Sequence, residues 1–191
     1  MTHYSDDDIY PVTRITAGSV GELGRRVFII QAQYGDELVS WVIEKGQAVA
    51  LSRALPQLLA DVRSEYPELG EPLVAAQPDL ELSEPLEPEF RVGSIGVGYD
   101  RIHDLVMLTL VDADSEELDL SVPASAEAYE VPPESHVYTT RGQALLLSRQ
   151  AEVVVIAGRP TCPCCGEPID DFGHFCLPVE LRGRVGGIFL Q

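Results

Sequence analysis

The chain has 191 residues, of which 45% are hydrophobic, and 31 acidic side chains outnumber 13 basic ones. This length is enough for one domain with its own hydrophobic core, so overall folding does not require a metal. The formal charge of −18 disfavours polyanionic partners, nucleic acid included. All of that charge lies in residues 1–135, because five arginines balance five acids from residue 136 onward.

The sequence also bears on the compartment. It has no stretch apolar enough to span a bilayer, and its acidic, polar start lacks the basic and apolar parts of a secretion signal. We therefore expect a cytoplasmic protein. In that reducing compartment the four cysteines, which lie between Cys162 and Cys176, are better explained as metal ligands than as disulfides.

The first half of the chain has the pattern of strands followed by a helix. After an acidic N-terminal tail (1–14), a first repeat is predicted over 15–66, with strands at 26–34 and 37–44 joined by a Gly35-Asp36 turn. A helix is predicted to begin near Gln47, with Pro56 causing a kink or a break. Its apolar stripe consists of Ala48, Leu51, Leu55, Leu58 and Val62.

The second half repeats this order. An acidic, proline-rich connection (67–88) leads to a second repeat over 89–158, with strands at 90–99, 104–111 and 136–140 and a loop insertion at 112–133. A second helix is predicted from Gln143 to Ala157, although its Val153–Ile156 end also fits a strand.

Two sequence blocks indicate that the halves arose by duplication. Residues 46–53 (GQAVALSR) recur as residues 142–149 (GQALLLSR), with six of eight positions identical, and GSVG at 18–21 is echoed by GSIG at 93–96. The predicted fold class is α+β: tandem strand-strand-strand-helix repeats forming an antiparallel sheet, with two helices on one face and an approximate twofold relation. A zinc knuckle (159–178) and a C-terminal tail (179–191) follow.

The knuckle prediction rests on "CPCCGEPIDDFGHFC", residues 162–176. Structural zinc takes four ligands from thiolates and imidazoles, and a Cys-x-x-Cys turn brings two of them together. The motif contains such a set of ligands, and we expect zinc as the cofactor that they bind: Cys162, Cys165, His174 and Cys176. Two alternatives stay open, Cys164 in place of Cys165, and Asp170 or Asp171 in place of His174.

Other readings of the motifs carry less weight. Cys-Pro-x-Cys also occurs in thiol oxidoreductases, but Gly166 and Pro168 would obstruct the helix that activates the thiolate there. The glycines at 93–98 lie in a strand pattern, which favours close packing over a phosphate-binding loop. The recurring pairs Ser52-Arg53 and Ser148-Arg149 are better explained by packing of a duplicated helix than by anion binding.

The order of the segments "RRVFIIQAQYGDELVSWVIEKGQAVALSRALPQLLADV", "EFRVGSIGVGYD" and "AGRPTCPCCGEPIDDFGHFC" resembles an uncharacterised, mainly actinobacterial family known as a domain of unknown function. The likeness covers nearly the whole chain and implies a Cys-Pro-x-Cys-Gly…Gly-His-x-Cys knuckle. That pattern matches Cys162, Cys165, His174 and Cys176 and makes Cys164 an extra cysteine. A looser similarity of pattern links the repeats to single-stranded nucleic-acid-binding proteins of the Pur-alpha and Whirly type.

The functional expectation follows from two features of the sequence. It contains a complete set of four zinc ligands, and it contains no recognisable arrangement of catalytic residues. We expect a non-enzymatic, zinc-bearing module that binds a macromolecule, a protein rather than nucleic acid, and no membrane. Single-stranded nucleic-acid binding is the alternative, and a thiol- or metal-dependent enzyme ranks below it. The identity of the partner and the oligomeric state are not predicted.

Overall fold

The computed structural model describes residues 11–22, 25–76, 79–115 and 133–157, together with residues 162, 164, 165 and 169. Within these ranges, no helix is long and apolar enough to cross a bilayer. The predicted α+β fold class is confirmed: a six-stranded sheet carries two α-helices.

The first half forms a three-stranded meander and one helix. Strands β1 (Arg14–Val20), β2 (Val27–Tyr34) and β3 (Glu37–Ile43) pair antiparallel in chain order. The predicted turn is confirmed, because Tyr34 pairs with Glu37 and Gly35 has a φ of 61°, a left-handed conformation that glycine adopts without steric cost.

Helix α1 (Lys45–Glu65) runs unbroken through Pro56, so the predicted break is wrong. Proline removes one backbone hydrogen bond and crowds the preceding turn. Pro56 itself is exposed, however, while Leu55 and Leu59 next to it are buried. Packing on the apolar side of the helix therefore outweighs the local disruption. The buried stripe contains Leu59 in place of the predicted Leu58, which lies partly buried at its edge.

The second half repeats the arrangement. After a 3-10 turn at Pro67–Leu69, strands β4 (Pro88–Asp100), β5 (Leu105–Asp112) and β6 (Glu134–Thr140) pair antiparallel, and a short 3-10 helix (Ala113–Ser115) follows β5. Helix α2 (Arg141–Ala157) includes the Val153–Ile156 segment, so the strand alternative for that segment is wrong. Most of the predicted insertion lies outside the described residues.

The sheet is mixed rather than purely antiparallel, which corrects one detail of the prediction. Strand order is β1-β2-β3-β4-β5-β6, and the central β3–β4 pair is parallel. Helix α1 and the 67–88 connection form the long crossover that a parallel pair requires. At the far edges, the Val12 N–H donates to the Tyr138 carbonyl at 2.8 Å. The chain just before β1 therefore meets β6, and the sheet curls back towards itself.

Hairpin registers define which residues of the two halves are equivalent. Val20 pairs with Val27 at the end of the first hairpin, and Asp100 pairs with Leu105 at the end of the second. This makes Val20 equivalent to Asp100, so the GSVG and GSIG blocks do not occupy equivalent places. The GQA blocks do, because each opens a helix directly after a third strand.

The two glutamines of these blocks make reciprocal contacts between the halves. Gln47 Nε2 donates to the carbonyls of Val92 and Gly93, at 3.0 and 2.9 Å. Gln143 Nε2 donates to those of Val12 and Thr13, at 2.7 and 3.3 Å. Each glutamine thus binds equivalent backbone carbonyls of the other half, in β4 or just before β1, as an approximate twofold relation requires.

One hydrophobic core joins both halves. It lies between the helices and one face of the sheet, and includes fully buried side chains from each half, among them Ile30, Leu55, Leu108, Val137 and Leu147. Trp41 is buried, and its Nε1 donates to the Ser135 hydroxyl at 3.2 Å. The halves are therefore parts of one domain.

The opposite face of the sheet, here the outer face, differs between the halves. In the first half Thr16, Gln31 and Ser40 face outward, yet they are buried. Residues 79–83 cover them: the Thr16 hydroxyl donates to the Leu80 carbonyl at 2.6 Å, and Gln31 bonds to the backbone of Ser83. We call residues 79–83 the covering segment.

Candidate metal-binding motif

The predicted metal site is described in part. Cys162 and Cys165 are 7% and 8% exposed, whereas Cys164 between them is exposed and shares a turn with Cys165. Helix α2 ends at Ala157, five residues before Cys162. His174 and Cys176 lie outside the described residues, as do Asp170 and Asp171.

Because two of the four predicted ligands are not described, their assembly around an ion is not visible. Among the residues that the structure describes, no three histidine, cysteine or carboxylate side chains are grouped as a metal site requires. The chemistry of the donor set nevertheless fits zinc, since three thiolates and one imidazole complete its tetrahedral coordination. Calcium or magnesium would call for oxygen ligands instead.

The repeated Ser-Arg pairs have the same local role in both helices. Ser52 Oγ donates to the Val49 carbonyl and Ser148 Oγ to the Leu145 carbonyl, both at 2.8 Å. These bonds within one helical turn satisfy the hydroxyls locally. Arg53 and Arg149 are exposed. The recurrence therefore has a packing explanation, as expected.

A cluster at the β4–β5 turn contains strongly perturbed ionisable groups. Arg141, 11% exposed at its side chain, donates from Nε to Asp104 Oδ1 at 2.8 Å and from Nη2 to Oδ2 at 3.2 Å. Its two Nη atoms also donate to the carbonyls of Leu69 and Gly70. One guanidinium therefore joins the 3-10 turn that follows α1, the β4–β5 turn and the start of α2.

Tyr99 completes this cluster. Its hydroxyl donates to Asp104 Oδ1 at 2.7 Å. Burial, helped by that bond, raises the pKa of Tyr99 to about 12. Burial works against ionisation of Asp104, but the hydrogen bonds from Arg141 and Tyr99 prevail and lower the pKa of its carboxyl. The sequence offered no signal for this cluster, because Arg141 is 37 residues away from Asp104 along the chain.

The members of this cluster bind one another and the backbone. The Tyr99 hydroxyl and the Arg141 guanidinium both donate to the Asp104 carboxylate, and Arg141 also donates to two backbone carbonyls. Across the described part of the chain, no buried side-chain nitrogen or oxygen lacks a hydrogen-bond partner. In this part of the chain, no buried side chain therefore has an unsatisfied polar atom that a substrate could bind.

Two cavities border the helices. One of about 160 Å³ lies between α1 and β4 and is lined mainly by small and apolar residues, including Ala50, Ala54 and Ile95. Another of about 430 Å³ lies between β1, the end of α2, and the covering segment with the residues just after it; Val20, Leu82 and Val153 are in its lining. The glycines of β4 belong to a strand, as predicted, and not to a phosphate-binding loop.

The chain thus combines an α+β fold, with two halves of similar topology, and a cysteine-rich C-terminal motif. The family model described as "Protein of unknown function (DUF3090)" matches residues 8–176, and the chain belongs to this family. No curated protein and no solved structure matches the chain.

Proposed function

We propose that the C-terminal motif binds one zinc ion through Cys162, Cys165, His174 and Cys176. The supporting observation is the burial of the first two thiols on either side of an exposed one. A Cys-x-x-Cys turn directs its first and last side chains to a common ion. The residue before the second ligand is then free to face the solvent, which fits Cys164 as a non-ligand.

The proposed zinc is structural. Four protein ligands fill a tetrahedral site, so no coordination position remains for the water or substrate that a catalytic zinc binds. The ion would hold the chain that leaves α2 in a fixed fold. Zinc would supply folding energy here, since thiolate sites of this type assemble only when the metal is bound.

We further propose that the protein is a cytoplasmic, non-enzymatic module that binds another macromolecule. In its described part, Tyr99 and Asp104 are bonded to each other and Arg141 ties Asp104 to the backbone, and its buried side-chain polar atoms have hydrogen-bond partners. The formal charge of −18 favours a protein partner over a nucleic acid, whose phosphates would be repelled. Single-stranded nucleic acid is therefore the weaker candidate, and a filter-binding titration at low salt tests it.

The zinc proposal is tested by a matched pair of variants, Cys165→Ala and Cys164→Ala. We expect Cys165→Ala to lose bound zinc and to unfold at a lower temperature, because three ligands hold the ion poorly. Cys164→Ala should keep one zinc per chain and the thermal midpoint of the unaltered protein. Zinc content by elemental mass spectrometry, with thermal unfolding followed by circular dichroism, gives both readouts.

Either of two results would contradict the assignment. If Cys164→Ala loses the metal and Cys165→Ala keeps it, the ligand set is wrong. If neither variant nor the unaltered protein holds zinc, and the thiols react rapidly with an alkylating agent, the motif is a dithiol redox site instead.

A further inference from the structure

The outer faces of the two halves have equivalent residues in different surroundings. The ladder Thr16–Gln31–Ser40 crosses β1, β2 and β3, and its equivalents by register are Gly96, Thr109 and His136 on β4, β5 and β6. The first ladder is at most 1% exposed. In the second, Gly96 and His136 are exposed and Thr109 is half-buried.

The polar contact along each ladder is also equivalent. Gln31 Nε2 lies 3.1 Å from Ser40 Oγ in the first half. Thr109 Oγ1 lies 3.3 Å from His136 Nδ1 in the second. The duplication has therefore kept a polar pair on both outer faces, although a chain segment covers only one of them among the described residues.

The first ladder binds an extended backbone. Gln31 Oε1 accepts from the Ser83 N–H at 2.8 Å, and its Nε2 donates to the Ser83 carbonyl at 2.9 Å. A side-chain amide thus pairs with a peptide as a neighbouring strand would. The covering segment belongs to the chain that follows the helix of its own half, beginning fourteen residues after Glu65.

The outer face of the second half is shaped to receive a similar segment. The outward positions of β4 are Ser94, Gly96 and Gly98, so little side chain stands above this strand. A Cβ built on Gly96 would lie 3.5 Å from Thr109 Cβ, an ordinary contact, so neighbouring strands do not require the glycine. The missing side chains leave a trough beside the hydroxyl of Thr109 and the ring of His136.

We propose that residues 177–191, which follow the proposed zinc motif, occupy this trough. They follow α2 as the covering segment follows α1. They begin twenty residues after Ala157, against fourteen for the covering segment after Glu65, so the zinc motif fits between the helix and the trough. Residues 177–191 contain two arginines and one acid, which suits an otherwise acidic molecule.

Chemical labelling of histidine tests the proposal on the full chain. His103 and His136 have side-chain exposures of 45% and 44%, and each contacts a carboxylate, Asp100 or Glu134. His103 lies on the β4–β5 turn and serves as the internal reference. We expect diethyl pyrocarbonate to modify His136 several times more slowly than His103, with both sites read by peptide mass spectrometry.

A pair of substitutions identifies what covers His136. Gly96→Glu places a charged side chain in the trough, whereas the control Gly46→Glu lies in open space, with no atom within 4 Å of its Cβ. We expect Gly96→Glu to raise the His136 rate towards that of His103 and to speed tryptic cleavage at Arg182 and Arg184. Gly46→Glu should change neither rate.

Three outcomes would overturn the proposal. Equal labelling of the two histidines in the unaltered protein would mean that the trough is open. Faster labelling of His136 in Gly96→Glu without faster cleavage at the two arginines would assign the cover to residues 116–132. Protection of His136 that rises with protein concentration would assign it to a second copy of the chain.

Discussion

The two halves of the molecule share their internal contacts and differ on the outside. Both have a three-stranded meander, a helix whose first turn contains Gly-Gln-Ala, and a glutamine that bonds to the backbone at or just before the first strand of the other half. Within the part of the chain that the structure describes, a segment covers the outer face of the first half only. The two halves can therefore differ on one surface while the contacts that hold the core together remain paired.

The same contrast appears at the helix starts. Position 141 is an arginine that joins three elements through Asp104 and two backbone carbonyls. Its equivalent in the first half is Lys45. A lysine cannot present several donors in a fixed plane as a guanidinium does. The Arg141 guanidinium thus makes a planar contact with several partners at the start of α2.

The largest expected effect concerns the shared core. Leu51 and Leu147 are equivalent, and both are buried. We expect Leu51→Ala and Leu147→Ala each to lower the free energy of unfolding by about 2–5 kcal/mol, because each leaves a cavity. Ile102→Ala, at a side chain that is 89% exposed, is the control and should have little effect. Urea unfolding measures all three, and a large loss at only one leucine would mean that the halves are not equivalent.

A smaller effect is expected at the reciprocal glutamines. Gln47→Ala and Gln143→Ala each remove an amide that bonds to two carbonyls and also accepts an N–H from the end of its own third strand. We expect each change to cost roughly 1–3 kcal/mol of unfolding free energy, since buried backbone groups lose partners. The exposed Gln57→Ala is the control. A negligible cost at both positions would show that they do not fasten the halves.

The smallest effect is a pH dependence at Tyr99. Its pKa is about 12 in the folded protein against an ordinary value of 10.0, so folding favours the neutral phenol. That stability is complete below pH 10 and is lost as pH rises towards 12. Tyr99→Phe should be less stable than the unaltered protein at pH 8, and the gap should narrow between pH 10 and 12. A constant gap across this range, measured by urea unfolding, would contradict the proposed cause.

Much of the fold could be predicted because its signals are local. Alternating apolar residues marked the strands, the Gly35-Asp36 pair marked a hairpin, and the repeated GQA block marked equivalent helix starts. The break at Pro56 was wrong because propensity is local, while the packing of Leu55 and Leu59 is tertiary. The parallel β3–β4 pair was missed because strand direction depends on how a crossover returns.

The site was predictable in a different way. The zinc ligands were predicted from the spacing of cysteines and a histidine, and two of the four, Cys162 and Cys165, are among the described residues. The Tyr99–Asp104–Arg141 cluster could not be predicted, because only the fold brings Arg141 to the other two. The covering segment was likewise predicted only as part of an acidic, proline-rich connection, since its contacts with Thr16 and Gln31 depend on register.

Mass spectrometry of the purified full-length protein under native and denaturing conditions tests the central proposal most directly. We predict one zinc ion per chain in the native spectrum and none after denaturation, because structural coordination exists only in the folded motif. A native spectrum without metal, together with four thiols that react with an alkylating agent before unfolding, would contradict the zinc site.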